Sequence, residues 1–204
     1  MVTIIDYKVG NLGSIKNMLK KVGQQSIITS NLAEVESAEK IILPGVGSFD
    51  NGVRNLKEAG LWDVLDKKVL HDKTPILGIC LGAQLMTSRS EEGKEAGFGW
   101  VDAETVKFNI EAGSKLKVPS MGWNDVLVQK DSNLIIKDNE IQRFYFVHAY
   151  HFRFHDQTQI LAESQYAYPF TSAFEKDNIL GVQFHPEKSH RYGMQLLRNF
   201  IAKY

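Results

Sequence analysis

The chain has one cysteine, Cys80, set between two glycines in Gly78-Ile79-Cys80-Leu81-Gly82 directly after the apolar run Pro75-Ile76-Leu77. Nucleophilic chemistry is what this spacing suits. A strand that turns at once into a helix strains the backbone at the turning residue, and bulk two residues to either side would collide. Unpaired N–H groups and the helix dipole at such a turn favour thiolate over thiol, which is the attacking form. The pentapeptide alone also fits a buried, inert cysteine. What separates the two readings is a base and a group to orient it. Gln183-Phe184-His185-Pro186-Glu187 supplies both. His185 takes and returns a proton, Glu187 holds the imidazole, and Pro186 stiffens the turn between them.

These groups need elements to position them. Short apolar runs alternate with amphipathic stretches through the first ninety or so residues, the pattern of βα units around a parallel sheet. Residues 2–7 read as the first strand, and residues 11–22 put Leu12, Ile15, Leu19 and Val22 on one helical face, with Gly23 to end it. Lys40-Ile41-Ile42-Leu43 is another strand, closed by the turn Pro44-Gly45-Val46-Gly47. Residues 61–70 repeat the helical spacing, and residues 75–79 form the strand that delivers Cys80. Open parallel sheets place ligands outside the carboxyl ends of their strands, so both glycine-rich turns should open onto one edge. His185 and Glu187, after the apolar strand Ile179-Leu180-Gly181-Val182, belong at a strand end of the same kind.

After Gly97 the texture becomes β-rich, in residues 105–108, 126–128 and 143–154. Residues 171–174 and 179–184 flank Glu175-Lys176-Asp177-Asn178, read as a hairpin loop, and residues 192–201 form a closing amphipathic helix. The expected fold class is α/β, an open and mostly parallel central sheet flanked by helices, with antiparallel additions. A single domain over residues 1–204 is expected.

Composition excludes several classes. The 43% hydrophobic and 24% charged content is that of an ordinary soluble domain. No run of about eighteen apolar residues is present to span a membrane. The N-terminus enters Val2-Thr3-Ile4-Ile5 without a basic leader, and one cysteine forbids an internal disulfide, so a reducing, cytoplasmic compartment is expected. A formal net charge of +0 argues against nonspecific nucleic-acid binding, and Lys16, Lys20 and Lys21 read as a solvated helix face. His148, His151 and His155 do not read as a metal set: in a β run the first two would point to opposite faces, and the last two would lie roughly 13 Å apart. They are expected at a sheet surface or an interface. No phosphate loop of the Gly-x-x-x-x-Gly-Lys type is present, and neither metal nor cofactor is expected.

Gly78-Ile79-Cys80-Leu81-Gly82 together with His185-Pro186-Glu187 resembles the class I glutamine amidotransferases, the glutaminases with a Cys-His-Glu triad, and the similarity extends over essentially the whole chain. Within that class, residues 6–14, Pro44-Gly45-Val46-Gly47, Ser90-Glu91-Glu92-Gly93, Met121-Gly122-Trp123-Asn124, Tyr145-Phe146-Val147-His148 and residues 181–189 closely resemble the glutaminase subunits of imidazole glycerol phosphate synthases. The resemblance implies that Cys80 attacks the side-chain carboxamide of glutamine, that His185 protonates the departing ammonia, and that Glu187 orients His185. The Leu81 N–H, directly after the nucleophile, is the natural first oxyanion donor, and the resemblance adds the Val46 N–H. Gly45 and Gly47 would let that peptide reorient, making the loop a switch as well as a cradle.

The resemblance further assigns Gln84 and Glu92 to the amide and amino group of glutamine, and His148-Ala149-Tyr150 to its carboxylate. The family usually has His-Ser-Tyr there, and Ser120 replaces a residue that is commonly larger. It also implies a partner in a heterodimer, a synthase of the (β/α)8 type. That cyclase would receive ammonia through a tunnel and form imidazole glycerol phosphate and an aminoimidazole carboxamide ribotide in histidine biosynthesis. Asn11, Met121, Trp123, Tyr145 and Lys188 match its docking face. A competing destination is suggested by Gly99-Trp100-Val101-Asp102-Ala103 and His148-Ala149-Tyr150-His151, which resemble paralogues that accompany sugar amidotransferases in surface-polysaccharide pathways. A non-catalytic scaffold subunit is a third reading, disfavoured by the intact Cys80, His185 and Glu187.

Overall fold

The structure, a computed structural model, describes residues 1–137 and 140–204. The first half runs β1 (Val2–Ile5), α1 (Leu12–Lys21), β2 (Ser26–Thr29), α2 (Leu32–Glu36), β3 (Lys40–Leu43), α3 (Phe49–Glu58), α4 (Leu61–Leu70), β4 (Ile76–Ile79) and α5 (Leu81–Gln84). The second half runs β5 (Ala103–Lys107), β6 (Ser120–Val128), β7 (Gln142–His148), β8 (Tyr150–Phe154), β9 (Ile160–Gln165), β10 (Pro169–Lys176), β11 (Ile179–Val182) and α6 (His190–Lys203).

The sheet order is β2-β1-β3-β4-β11-β10-β9-β6-β7. Strands β2, β1, β3, β4 and β11 are mutually parallel, and the other pairings are antiparallel. Strands β5 and β8 branch off, paired with each other, with β8 also touching β10. Parallel strands carry helices on both faces, so their residues are apolar in an unbroken run rather than in alternation. Side chains nevertheless alternate between two cores. Ile4, Ile42 and Leu77 join Ile15, Leu19, Leu197 and Phe200 in one, while Ile5, Ile41 and Ile76 join Val53, Leu56 and Leu65 in the other.

Local sequence accounts for the helix ends. Asn11 caps α1, its side-chain oxygen accepting from the Ser14 N–H at 3.4 Å, and Gly23 leaves the helix at φ 82°. The helix buries Ile15, Met18 and Leu19, whereas Val22 falls outside it as the C-cap.

Three expectations change. The run over residues 143–154 is two strands broken at Ala149, because β7 pairs with β6 while β8 pairs with β5. The hairpin between β10 and β11 closes in two residues rather than four, since Lys176 and Ile179 pair directly and Asp177 takes φ 52°. Helix α3 was not foreseen at all. It begins two residues after the 44–47 turn and buries Phe49, Gly52, Val53 and Leu56.

Candidate active site

Strand β4 passes into α5 at Cys80, which adopts φ 54° and ψ −111°. A non-glycine residue there is strained by on the order of 1–3 kcal/mol, and neighbouring bonds hold it. The Cys80 N–H donates to Val182 O at 2.8 Å, and the Leu81 N–H donates to Gly45 O at 3.3 Å. The flanking glycines are required by close approach. A Cβ at Gly78 would lie 2.6 Å from Ala83 Cα, and one at Gly82 would lie 1.8 Å from the carbonyl oxygen of Leu43. Both obstacles are backbone, so Gly82→Ala is expected to cost about 3 kcal/mol of stability. Urea unfolding measures it, and a loss below about 0.5 kcal/mol would show that β3 and α5 separate easily.

The expected base, His185, lies just past the end of the adjacent strand β11. Val182 pairs with Ile79 in the parallel ladder, so the residues beyond the two strand ends are neighbours. His185 Nδ1 lies 2.8 Å from Glu187 Oε1, with the two side chains 1% and 3% exposed. The carboxylate accepts, so Nδ1 carries the hydrogen, and the buried Nε2 makes no hydrogen bond among the described residues. Burial alone would lower the imidazole pKa. The influence of the nearby Cys80 thiol, the Glu187 hydrogen bond and the negative charges of both overcome it and push His185 up to about 10. The main chain is fixed as well. The His185 N–H donates to Tyr145 O at 2.9 Å. Ser189 Oγ donates to His185 O at 2.6 Å and accepts from the Tyr145 N–H at 3.0 Å.

A second group touches the sulfur: Gln183 Nε2 donates to Cys80 Sγ at 3.6 Å, and Gln183 Oε1 accepts from Gln84 Nε2 at 3.1 Å. Sequence reasoning quoted Gln183 without giving it a role. The available signal was a glutamine inside an otherwise apolar strand end, two residues before the base. Gln84 also reaches Tyr150 O at 3.5 Å.

The two N–H groups expected to serve as oxyanion donors are not brought together in this structure. The Leu81 N–H is taken by the Gly45 carbonyl, so the Gly45–Val46 peptide presents its oxygen where its N–H was expected. Gly45 is glycine for want of space, since a Cβ would lie 2.5 Å from the Tyr7 hydroxyl and 2.9 Å from Leu81 Cβ. Gly47 is glycine for its φ of 111°. Tyr7 donates to Pro44 O beneath the loop, and burial, together with the nearby Cys80 charge, pushes its pKa far up.

Burial raises the Tyr150 pKa first, and the charges of Glu92 and Glu91 add to it. His148 is placed differently from expectation. Its Nδ1 lies 2.7 Å from Tyr150 O, and its ring packs among Phe108, Phe146 and Phe170 at centroid distances of 5.2, 5.5 and 5.3 Å. Burial pushes its pKa down to about 4 against that hydrogen bond, so it is a neutral prop for the 148–150 turn. His151 does not point away from it. Its ring also packs on Phe108, at 4.7 Å, because Ala149 breaks the strand between them. Both are buried rather than at a sheet surface, while His155 is exposed beside Asp102.

Of the expected docking residues, Met121 and Trp123 are 65% and 42% exposed. Trp123 stacks on His190 with centroids 5.6 Å apart and meets Tyr145 edge-on at 6.3 Å, while Lys188 Nζ lies 5.7 Å from the Tyr145 ring centroid. Asn11 is an exposed residue engaged in capping α1.

A thiol on a strained strand-to-helix turn, with a carboxylate-bound imidazole just beyond the end of the next strand, is an arrangement suited to nucleophilic acyl transfer. Residues 3–204 match the glutamine amidotransferase class-I family model, and the chain belongs to that family. It is 54% identical over 203 residues, 100% of both chains, to imidazole glycerol phosphate synthase subunit HisH 2 of Methanococcus maripaludis. It is 47% identical over 201 residues, 98% of each chain, to the subunit of the same name from Pseudomonas aeruginosa. Among solved structures, a glutamine amidotransferase superposes with a TM-score of 0.76 at 19% identity, over 98% of this chain and 97% of that one. The glutaminase domain of Trypanosoma brucei CTPS with bound acivicin gives a TM-score of 0.66 at 16% identity, over 100% and 94%. These likenesses bear out the expected fold and the expected enzyme class.

Proposed function

We propose that this chain is the single-domain glutaminase subunit of an imidazole glycerol phosphate synthase, with Cys80, His185 and Glu187 as its triad. Placement of the thiol and the carboxylate-bound imidazole at the ends of adjacent parallel strands carries the chemistry. Full-length identity to subunits named for that synthase supports the pathway. The Cys80 thiolate attacks the amide carbon of glutamine and the carbonyl electron pair moves to oxygen. His185 delivers a proton to the amide nitrogen, the C–N bond breaks, and ammonia leaves a γ-glutamyl thioester. His185 then takes a proton from water, hydroxide adds to the thioester, and glutamate departs as the thiolate re-forms. Gln84 holds the substrate amide, Glu92 its amino group, and the backbone at Ala149 and Tyr150 its carboxylate, a contact for which alanine serves as well as serine.

The resting oxyanion loop makes the enzyme dependent on a partner. Rotation of the Gly45–Val46 peptide frees the Leu81 N–H and turns the Val46 N–H toward the cleft, giving the developing oxyanion two donors. The partner is a (β/α)8 cyclase docking at Met121, Trp123, Tyr145 and Lys188. Tyr145 O also accepts from the His185 N–H, so one backbone hydrogen bond ties the docking face to the base. Among the described residues no helix is long and apolar enough to cross a membrane, and we place the heterodimer in the cytoplasm. Glutamine hydrolysis should rise at least about tenfold when the cyclase subunit and its ribonucleotide ligand are added. An unchanged rate in a complex shown to form would contradict this reading.

A further inference from the structure

Two segments meet beside the cleft, one running from the oxyanion loop into α3 and the other, residues 90–95, carrying Glu92. Asp50, in the first turn of α3, uses both carboxylate oxygens on the second segment. Its Oδ1 accepts from the N–H groups of Lys94 at 2.9 Å and Glu95 at 3.0 Å, and its Oδ2 accepts from Lys94 at 3.1 Å. The approach is so close that a Cβ at Gly93 would lie 1.9 Å from Asp50 Oδ1. A side chain there would push the Asp50 carboxylate off these bonds. Hydrogen bonding by the Glu95 N–H, aided by that of Lys94, holds the Asp50 carboxyl below its ordinary range against the opposing effect of burial. A bond also runs the other way, from the Phe49 N–H to Glu92 Oε2 at 2.8 Å. Lys57, further along α3, adds an ion pair to Glu95 at 3.3 Å, with both side chains too exposed for it to contribute much.

We infer that Asp50 is a positioning residue for glutamine recognition: it grips the 93–95 backbone so that Glu92, one oxygen fixed by the Phe49 N–H, presents the other to the substrate's α-amino group. The inference rests on the reading of Glu92 as the amino-group contact. It adds that the loop recognising glutamine and the loop carrying Val46 share one anchor, at residues 49 and 50. An acceptor able to hold two successive N–H groups is what this junction requires, and an aspartate side chain is short enough to do so from the helix surface.

Steady-state kinetics of the complex with its synthase partner test the inference, using glutamine and its analogue without the α-amino group, 5-amino-5-oxopentanoate. Asp50→Ala should raise KM for glutamine about tenfold with a much smaller change in kcat, and should leave kcat/KM for the analogue near wild type. Asp50→Asn, which keeps one oxygen for both N–H groups, should recover most of the loss. Equal losses of kcat/KM for both substrates in Asp50→Ala, or a fall confined to kcat, would overturn the inference. Glu92→Gln separates the two layers. If it abolishes the preference for glutamine while Asp50→Ala retains it, the role of Asp50 alone fails; if it leaves the preference intact, the reading of Glu92 fails and the inference with it.

Discussion

Replacing Cys80 with alanine is expected to lower kcat for glutamine hydrolysis by at least about 10,000-fold, because covalent attack has no substitute group in the cleft. The fold should survive the change. Alanine is no worse than cysteine at φ 54°, and the bonds that hold the turn are backbone bonds from residues 80 and 81. The variant should therefore unfold near the wild-type urea midpoint while hydrolysing almost nothing. Equal rates in wild type and variant would sink the triad and revive the scaffold reading.

A loss of comparable size is expected for His185→Asn, which removes the proton donor for the leaving nitrogen and the base for water, with the Glu187 hydrogen bond left to an amide. This substitution also alters the pH dependence of stability. His185 is pushed up to about 10 in the folded protein, against about 6.5 for an unperturbed imidazole. A folded pKa above the unfolded one means that the folded state holds the extra proton. The stabilisation is fully present below about pH 6.5 and disappears as pH rises through about 10. Wild type should lose more stability than His185→Asn across that window in urea titrations at fixed temperature. Parallel pH profiles in the two proteins would show that the imidazole is not held charged by Cys80 and Glu187.

Much of this was legible in the chain because the physics is local. The strand at residues 40–43 and the helix at residues 61–70 follow from unbroken apolar runs and helical spacing, and both lie where the sequence put them. The nucleophile turn was legible because only glycine tolerates a backbone 1.8 Å from its Cβ position. Helix α3 was missed since its buried residues include Gly52 and its apolar spacing is thin, although Phe49, Val53 and Leu56 carry the period. The break at Ala149 was hidden because pairing partners far along the chain, not the residues themselves, divide β7 from β8. That same break brings His148 and His151 against one phenylalanine, which a period-two argument on a continuous strand could not foresee. The state of the oxyanion loop lies further still from sequence. Its glycines permit either orientation of the Gly45–Val46 peptide, and only the Leu81 N–H bond to Gly45 O shows which one is adopted.

During turnover Cys80 is expected to carry a γ-glutamyl thioester. Acid-quenched mass spectrometry of the partner-bound enzyme, mixed briefly with glutamine and digested, reads this directly. A glutamyl adduct on the peptide containing Cys80 is the expected result, appearing within the first turnover and decaying as glutamine is exhausted. Sustained hydrolysis with that peptide unmodified throughout, or with the adduct on another residue, would contradict it.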